Sequence, residues 1–463
     1  MTSAAITLAN TQASIPKEKG VFLLGCLPEF TKSPINFLSR LMNKHKDKDI
    51  VEFHLPFLDM SLVIDGHLTH QILVKHAKQF RKADHDLKVM GTVLGNGLVT
   101  NNDTAHHKIQ RKLVQPGFHF RKIQSYSETM SDYTSLLIKD WQTGERNISD
   151  DMFKLTMYIV CKTLFDTDMQ TMEKEADSIG HIMARVQEGT NARFTSAFLL
   201  PDWVPTPNNR KLVNARISLD ETIERIIDSR RLPNGEFKSG NDMLSMLLSA
   251  KYEDGHTMDA RLVRDELITL FAAGHETTSN ALTWTFYLLA QNPEIQQKLQ
   301  EELDQVLGQN DANFSHLENL TYTEMVIKES MRLLPPVWTL SARQANEDIQ
   351  IDDYFIPKDT LLFISPYANH RNPKFFPDPE RFDPERFTTE NEKKIPKHVY
   401  IPFGAGPRIC IGMSFAMMEA KLILASIVHK FNISEIAGQK FEPLPQITLS
   451  NQDGMKVHLE KRL

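Results

Sequence analysis

The chain has 463 residues, 41% of them hydrophobic and 24% charged, which suffices for a large buried core without the apolar excess of a membrane protein. A formal net charge of -6 argues against a nucleic-acid binder, which is ordinarily basic. Three cysteines, Cys26, Cys161 and Cys410, form no disulfide framework and no zinc-type spacing, and they fit a reducing compartment.

Residues 1–20 are polar and rich in Ala, Thr and Ser, and read as a loose arm. The apolar run Val21–Leu24 is far shorter than the roughly 20 residues of a membrane span. Residues 51–55 and 61–65 alternate and are split by Pro56 and Asp59, the pattern of a hairpin. Next come Gly95-Asn96-Gly97 and a helical stretch in which His107 and Arg111, four apart, share one face. Residues 181–217 carry Phe194, Phe198, Leu199, Leu200, Trp203 and Val204 around two prolines. Pro233 to Gly240 is a polar surface loop.

A long helix follows, its apolar residues recurring from Leu267 to Leu289 and ending before Pro293. Ala273-Gly274-His275-Glu276-Thr277-Thr278 interrupts it, because glycine weakens a helix and threonine hydroxyls compete for its carbonyls. Glu329 and Arg332 then pair at i, i+3 on a helix stopped by Pro335-Pro336. Ile349 to Ile364 has two short strand patterns around Pro357. Near the C-terminus, Phe403-Gly404-Ala405-Gly406-Pro407-Arg408-Ile409-Cys410-Ile411-Gly412 leads into an apolar helical run from Ser414 to Val428. Its glycines let the backbone turn tightly against something flat, while Arg408 offers a planar cation for a carboxylate. Ile447-Thr448-Leu449 and Asp453-Gly454 read as a terminal hairpin.

The pattern Phe-x-x-Gly-x-Arg-x-Cys-x-Gly resembles the haem-binding signature of the cytochromes P450, and the central-helix sextet, the Glu-x-x-Arg and the Pro384-Glu385-Arg386-Phe387 segment resemble that family's other motifs in the right order. The resemblance covers essentially the whole chain. It implies a single domain over residues 21–463, mainly α with small β-sheet regions, with haem b between the long central helix and the cysteine-loop helix. Cys410 would be the axial iron ligand, and His107, Arg111, Arg343 and Arg408 would hold the propionates. Ala273, Gly274, Thr277, Phe403, Gly404 and Gly412 would line the cofactor. Glu276 and Thr277 would deliver protons during dioxygen activation, with Gly274 leaving room. Glu329, Arg332 and Arg386 would form a buried network, with Arg381 of the similar segment just upstream as the competitor for the third place.

The resemblance also implies a lid over the substrate channel at 181–217 and a pocket wall at 337–340. The reaction would be hydroxylation or epoxidation of a lipophilic substrate, a fatty acid or terpenoid. A peroxide-driven or redox-neutral haem-thiolate enzyme and a haem-binding sensor are the alternatives. The chain runs only to Leu463 beyond Cys410, so electrons are expected from a separate ferredoxin or flavodoxin, steered by Lys108, Arg111, Lys112 and Lys421. A cytoplasmic, soluble bacterial-type monomer without a membrane span or nucleic-acid partner is expected.

Overall fold

The computed structural model describes residues 14–167 and 201–462, apart from Phe57, Asp202, Ser239 and Lys440, together with Ile182 and residues 185–193. Four of the expected lid residues, Phe194, Phe198, Leu199 and Leu200, lie outside the described residues. The described chain divides into two compact units.

The first unit comprises the described residues up to Asp86, with Thr339–Pro379 and Pro396–Ile409. It is built on a six-stranded sheet in the order Lys17–Glu18, Ile50–Leu55, Leu58–Val63, Leu361–Ile364, Arg343–Ala345, Phe80–Lys82. The expected hairpin is there: Ile50–Leu55 pairs antiparallel with Leu58–Val63. The N-terminal arm is shorter than 1–20 suggested, because Lys17 and Glu18 pair parallel with Glu52 and Phe53. Glu18 is buried and held ionised by Lys44, Arg40 and His45, which pull its carboxyl down to about 2 against the cost of burial. Between Ile349 and Ile364 three strands form rather than two: Ile349–Ile351 pairs with Tyr354–Ile356, and Leu361–Ile364 joins the large sheet. Ile50, Val63, Leu68, Ile72, Leu362 and Ile364 form part of the unit's apolar core.

The second unit, Leu87–Trp338, Glu380–Ile395 and Cys410–Leu463, is mostly helical. Its axis is the helix Ala260–Gln291, started by the Asp259 carboxylate accepting the Leu262 N–H at 2.8 Å and ended just before Pro293. Helix Ile148–Phe165 lies along it, and their apolar faces meet through Val160, Leu164, Phe165, Leu267 and Phe271. The helix after the cysteine, Met413–Lys430, buries residues around its whole circumference, as its nearly unbroken apolar sequence requires. Among the described residues, no helix is long and apolar enough to cross a membrane.

The terminal hairpin is set earlier than the sequence pattern suggested. Pro443–Pro445 pairs with Leu449–Asn451, so Ile447 and Thr448 are its turn, and Lys456–Lys461 instead joins a three-stranded sheet with Phe431–Ser434 and Gly144–Asn147.

Candidate active site

The cysteine loop takes its shape from two glycines at positive φ. Gly404 and Gly406 both sit at +70°, and a Cβ on Gly406 would stand 2.0 Å from the Leu73 carbonyl oxygen. That clash makes Gly406 as constrained as Gly404, although Gly406 is not among the glycines expected from the sequence to line the cofactor. A 3-10 turn over Gly406–Arg408 follows, closed by the Ile409 N–H on the Gly406 carbonyl at 3.0 Å. Upstream, the Ile401 N–H donates to His370 Nε2 at 2.9 Å and fixes the segment that enters the loop. Phe403 is half-buried there.

Arg408 and Arg343 lie in the first unit together with Lys82, which the sequence reading missed because nothing in its local pattern marks it. Burial and the positive charges of Arg343 and Arg408 push the Lys82 ammonium down to about 7. Burial and Arg408 push Arg343 down to about 10, and burial lowers Arg408 as well. Asp86 offsets part of this. Three neighbouring, partly buried cations that disfavour one another's charge suit an anionic group at this place, and a pair of propionates would supply it.

In the second unit, Cys410 precedes the helix whose N-cap is Gly412. The thiol has accessible surface and is nonetheless strongly desolvated, the combination of a side chain facing a recess. Burial lifts its pKa, while the Gly412 N–H and the Arg111 charge pull toward the thiolate. A Cβ on Gly412 would meet Phe118 at 3.6 Å and the Cys410 sulfur at 3.9 Å, both ordinary contacts, so space does not force glycine there. Arg111 and the buried His107 share a face of helix Thr104–Val114. Among the described residues no group of three or more His, Cys, Asp or Glu could hold a metal ion.

Between Val263 and Ala290 of the central helix only Ala273 is exposed, and Thr277, one turn on, is partly so. They share a face and mark an open strip on a helix where Arg264, Ala272, Gly274, Glu276, Asn280 and Tyr287 are also only partly buried. Gly274 faces elsewhere: a Cβ there would stand 3.1 Å from Val160 Cγ2, so the room it leaves is taken by helix Ile148–Phe165. The hairpin turn is stitched to an adjacent face at every turn. The Thr448 hydroxyl donates to the Glu276 carboxylate, Asn280 Nδ2 donates to Thr448 Oγ1 at 3.0 Å, and Trp284 Nε1 donates to the Leu449 carbonyl at 2.9 Å. Gln187 Nε2 also donates to Glu276 Oε1, at 2.5 Å. Burial raises the Glu276 pKa, partly opposed by those two donors, which suits an acid that gives and regains a proton. Trp338, on the expected pocket wall, is buried and donates to the Gln446 carbonyl at 2.7 Å.

A second buried acid was not legible from sequence. Glu419, on the cysteine helix, is raised well above the ordinary carboxyl range by burial. Thr278 opposes this weakly, because its hydroxyl lies at hydrogen-bond distance from the Gly274 carbonyl and neither Glu419 oxygen has a donor among the described residues.

The Glu-x-x-Arg network forms as expected. Arg332 grips Glu329 with two bonds of 2.7 and 2.9 Å, all four charged atoms being buried. Arg386 supplies the third member, 3.4 Å from Glu329 Oε1, and Arg381 contributes only its carbonyl, to Arg332. The Asp383 N–H adds a fourth contact at 2.9 Å. The lysines expected to steer a redox partner are not all available. Lys421 is buried, bonded to the Leu317 carbonyl at 2.8 Å and to Glu324 at 3.1 Å, so it cannot steer a partner. Lys112 is exposed but pairs with Glu253 at 2.8 Å.

A mainly helical fold with a cysteine at the head of a buried helix, a cluster of desolvated cations and an acid–alcohol pair on a strip of the central helix defines a haem-thiolate oxygenase class. The Cytochrome P450 family model matches residues 15–457, and the chain belongs to the cytochrome P450 family of haem- and iron-binding oxidoreductases. It is 34% identical to cyclooctatin synthase of Streptomyces melanosporofaciens over 93% of this chain and 92% of that one. To cyclooctat-9-en-7-ol 5-monooxygenase of the same organism it is 33% identical, over 93% and 91%. A cytokinin hydroxylase of Arabidopsis thaliana is 34% identical over 86% of this chain and 78% of that protein.

Proposed function

We propose that this protein is a monooxygenase that takes dioxygen, two electrons from a separate ferredoxin- or flavodoxin-type donor and two protons, and converts a lipophilic C–H compound into its alcohol and water. Iron protoporphyrin IX, haem b, supplies the oxygen-cleaving and inserting chemistry when bound, and thiolate ligation favours that cleavage. Cys410 provides the thiolate. Lys82, Arg343 and Arg408 neutralise propionate charge, with His107 and Arg111 serving the same purpose from the helical unit. Phe403, Gly404 and Gly412 shape the loop around the sulfur, and Ala273 keeps the facing strip of the helix flat.

The observation that carries the reading is the acid–alcohol pair itself. Glu276 is held by Thr448 and Gln187 with its pKa raised, and Thr277 stands one residue on along the open strip. Such a pair has work to do when dioxygen must be protonated twice and little when peroxide is the oxidant. Glu276 passes a proton toward the strip, and the Thr277 hydroxyl hands it on and orients the acceptor.

Of the two substrate classes, terpenoid and fatty acid, the relative named for cyclooctat-9-en-7-ol supports the first. The enzyme would act in the cytoplasm as a monomer. The reading is tested by the absorption spectrum of reduced protein under carbon monoxide. A strongly red-shifted Soret band that disappears in Cys410→Ala is expected, and an imidazole-type band in fresh protein would overturn it. Titration with cyclic alcohols and with long-chain fatty acids, read as a low-to-high spin shift, separates the two substrate classes.

A further inference from the structure

Helix Ile148–Phe165 meets the weak turn of the central helix at two points one turn apart. Val160 fills the space beside Gly274, and Thr156, fully buried, places its hydroxyl 3.0 Å from the His275 carbonyl oxygen. The same hydroxyl lies 2.9 Å from the Met152 carbonyl of its own helix. Elsewhere in the molecule threonines such as Thr134 and Thr163 bond only within their own helix, as helical threonines ordinarily do. Thr156 reaches across to a second one.

The carbonyl it reaches belongs to the peptide joining His275 to Glu276. Nearby carbonyls of the same stretch also have side-chain donors. His275 Nδ1 lies 2.9 Å from the Phe271 oxygen, Thr277 Oγ1 2.8 Å from Ala273 and Thr278 Oγ1 3.3 Å from Gly274. Burial pushes His275 down to about 4, so its ring is neutral and donates from Nδ1. Four carbonyls thus have a donor besides the backbone N–H four residues ahead, and of these four donors only Thr156 comes from another helix. A carbonyl that accepts from a second helix is tied to that helix as well as to its own ladder, so losing the donor loosens the turn.

We propose that Thr156 is a positioning residue for oxygen activation: its hydroxyl grips the His275–Glu276 peptide and fixes the direction in which Glu276 and Thr277 are presented along the open strip. The inference rests on the roles given above to Glu276 and Thr277. Threonine suits the position because its hydroxyl spans the contact between the two helices. Valine keeps the shape and removes the bond.

The test compares the holoenzyme with its Thr156→Val, Thr156→Ser and Thr163→Val forms. Amide hydrogen exchange over residues 275–282 is measured first, then the hydrogen peroxide released per reductant consumed and its solvent deuterium isotope effect. Thr156→Val should speed exchange about tenfold, the equivalent of one buried hydrogen bond, and at least double the peroxide fraction with an altered isotope effect. Thr156→Ser should restore both, and Thr163→Val should change neither. A Thr156→Val protein that exchanges and couples as wild type overturns the proposal, as does a serine form that fails to rescue. Loss of the red-shifted carbon monoxide band in the wild type would instead count against the haem-thiolate reading, and the exchange comparison would still decide whether Thr156 holds the peptide.

Discussion

Single side chains in this molecule act through desolvation as much as through contact. Lys82, Arg343 and Arg408 are each pushed below their ordinary pKa by burial, and the first two by neighbouring positive charge as well. Binding a dianionic cofactor there should reverse that penalty. Lys82→Met is therefore expected to weaken haem retention several-fold, read as the rate of haem transfer to an apoprotein scavenger. At Glu276 the relevant change is chemical. Glu276→Gln keeps an acceptor for Thr448 but removes the ionisable proton, so the product yield per electron should fall and the peroxide yield rise, with the reduced–carbon monoxide spectrum unchanged.

At the scale of elements, the central helix is anchored near its start to the segment Gly95–Leu98. The Asn96 N–H donates to Asp265 at 2.8 Å and the Leu98 N–H to Glu266 at 3.1 Å. A Cβ on Gly95 would fall 2.2 Å from the Asp265 carboxylate oxygens, so glycine is what lets the backbone close over them. Glu266 is buried, and desolvation raises its carboxyl to about 7, helped by Asp265 and opposed by the Leu98 N–H. A raised carboxyl pKa means the folded state binds the proton more tightly than the unfolded chain. The associated stability is complete below pH about 4.5 and is lost as pH rises to about 7, on the order of 3 kcal/mol in all. Denaturant stability should fall over that window in wild type, and Glu266→Gln, which keeps the acceptor, should flatten the dependence. The network around Glu329 gives the opposite kind of prediction. Arg332→Ala leaves a buried carboxylate facing only Arg386 and a peptide N–H, and should cost about 3–5 kcal/mol in denaturant unfolding.

For the whole molecule, the class of enzyme was legible along the chain because its chemistry is concentrated in short contiguous runs. The cysteine loop, the sextet of the central helix and the Glu-x-x-Arg pair each carry residue types whose spacing has a local cause: glycines where φ must be positive, a helix turn that aligns i and i+3, threonines that loosen a ladder. The helices were predictable for the same reason, since an apolar stripe repeats along a single segment. The short strands were less so. The hairpin turn at Ile447 and Thr448 looked like strand because both residues are β-branched, and their pairing partners settled it otherwise.

Sequence by itself thus determined the family and pointed to Cys410 and to the Glu276–Thr277 pair. Tertiary structure decided which distant groups meet them. Lys82 joins two arginines from remote segments, Arg386 rather than Arg381 reaches Glu329, and Lys421 is drawn inside. Gly274 proves to serve Val160, and Thr156 reaches a peptide 119 residues away. The physical reason is that burial and long-range contact set charge, pKa and hydrogen-bond choice, and neither is written in the spacing of neighbours.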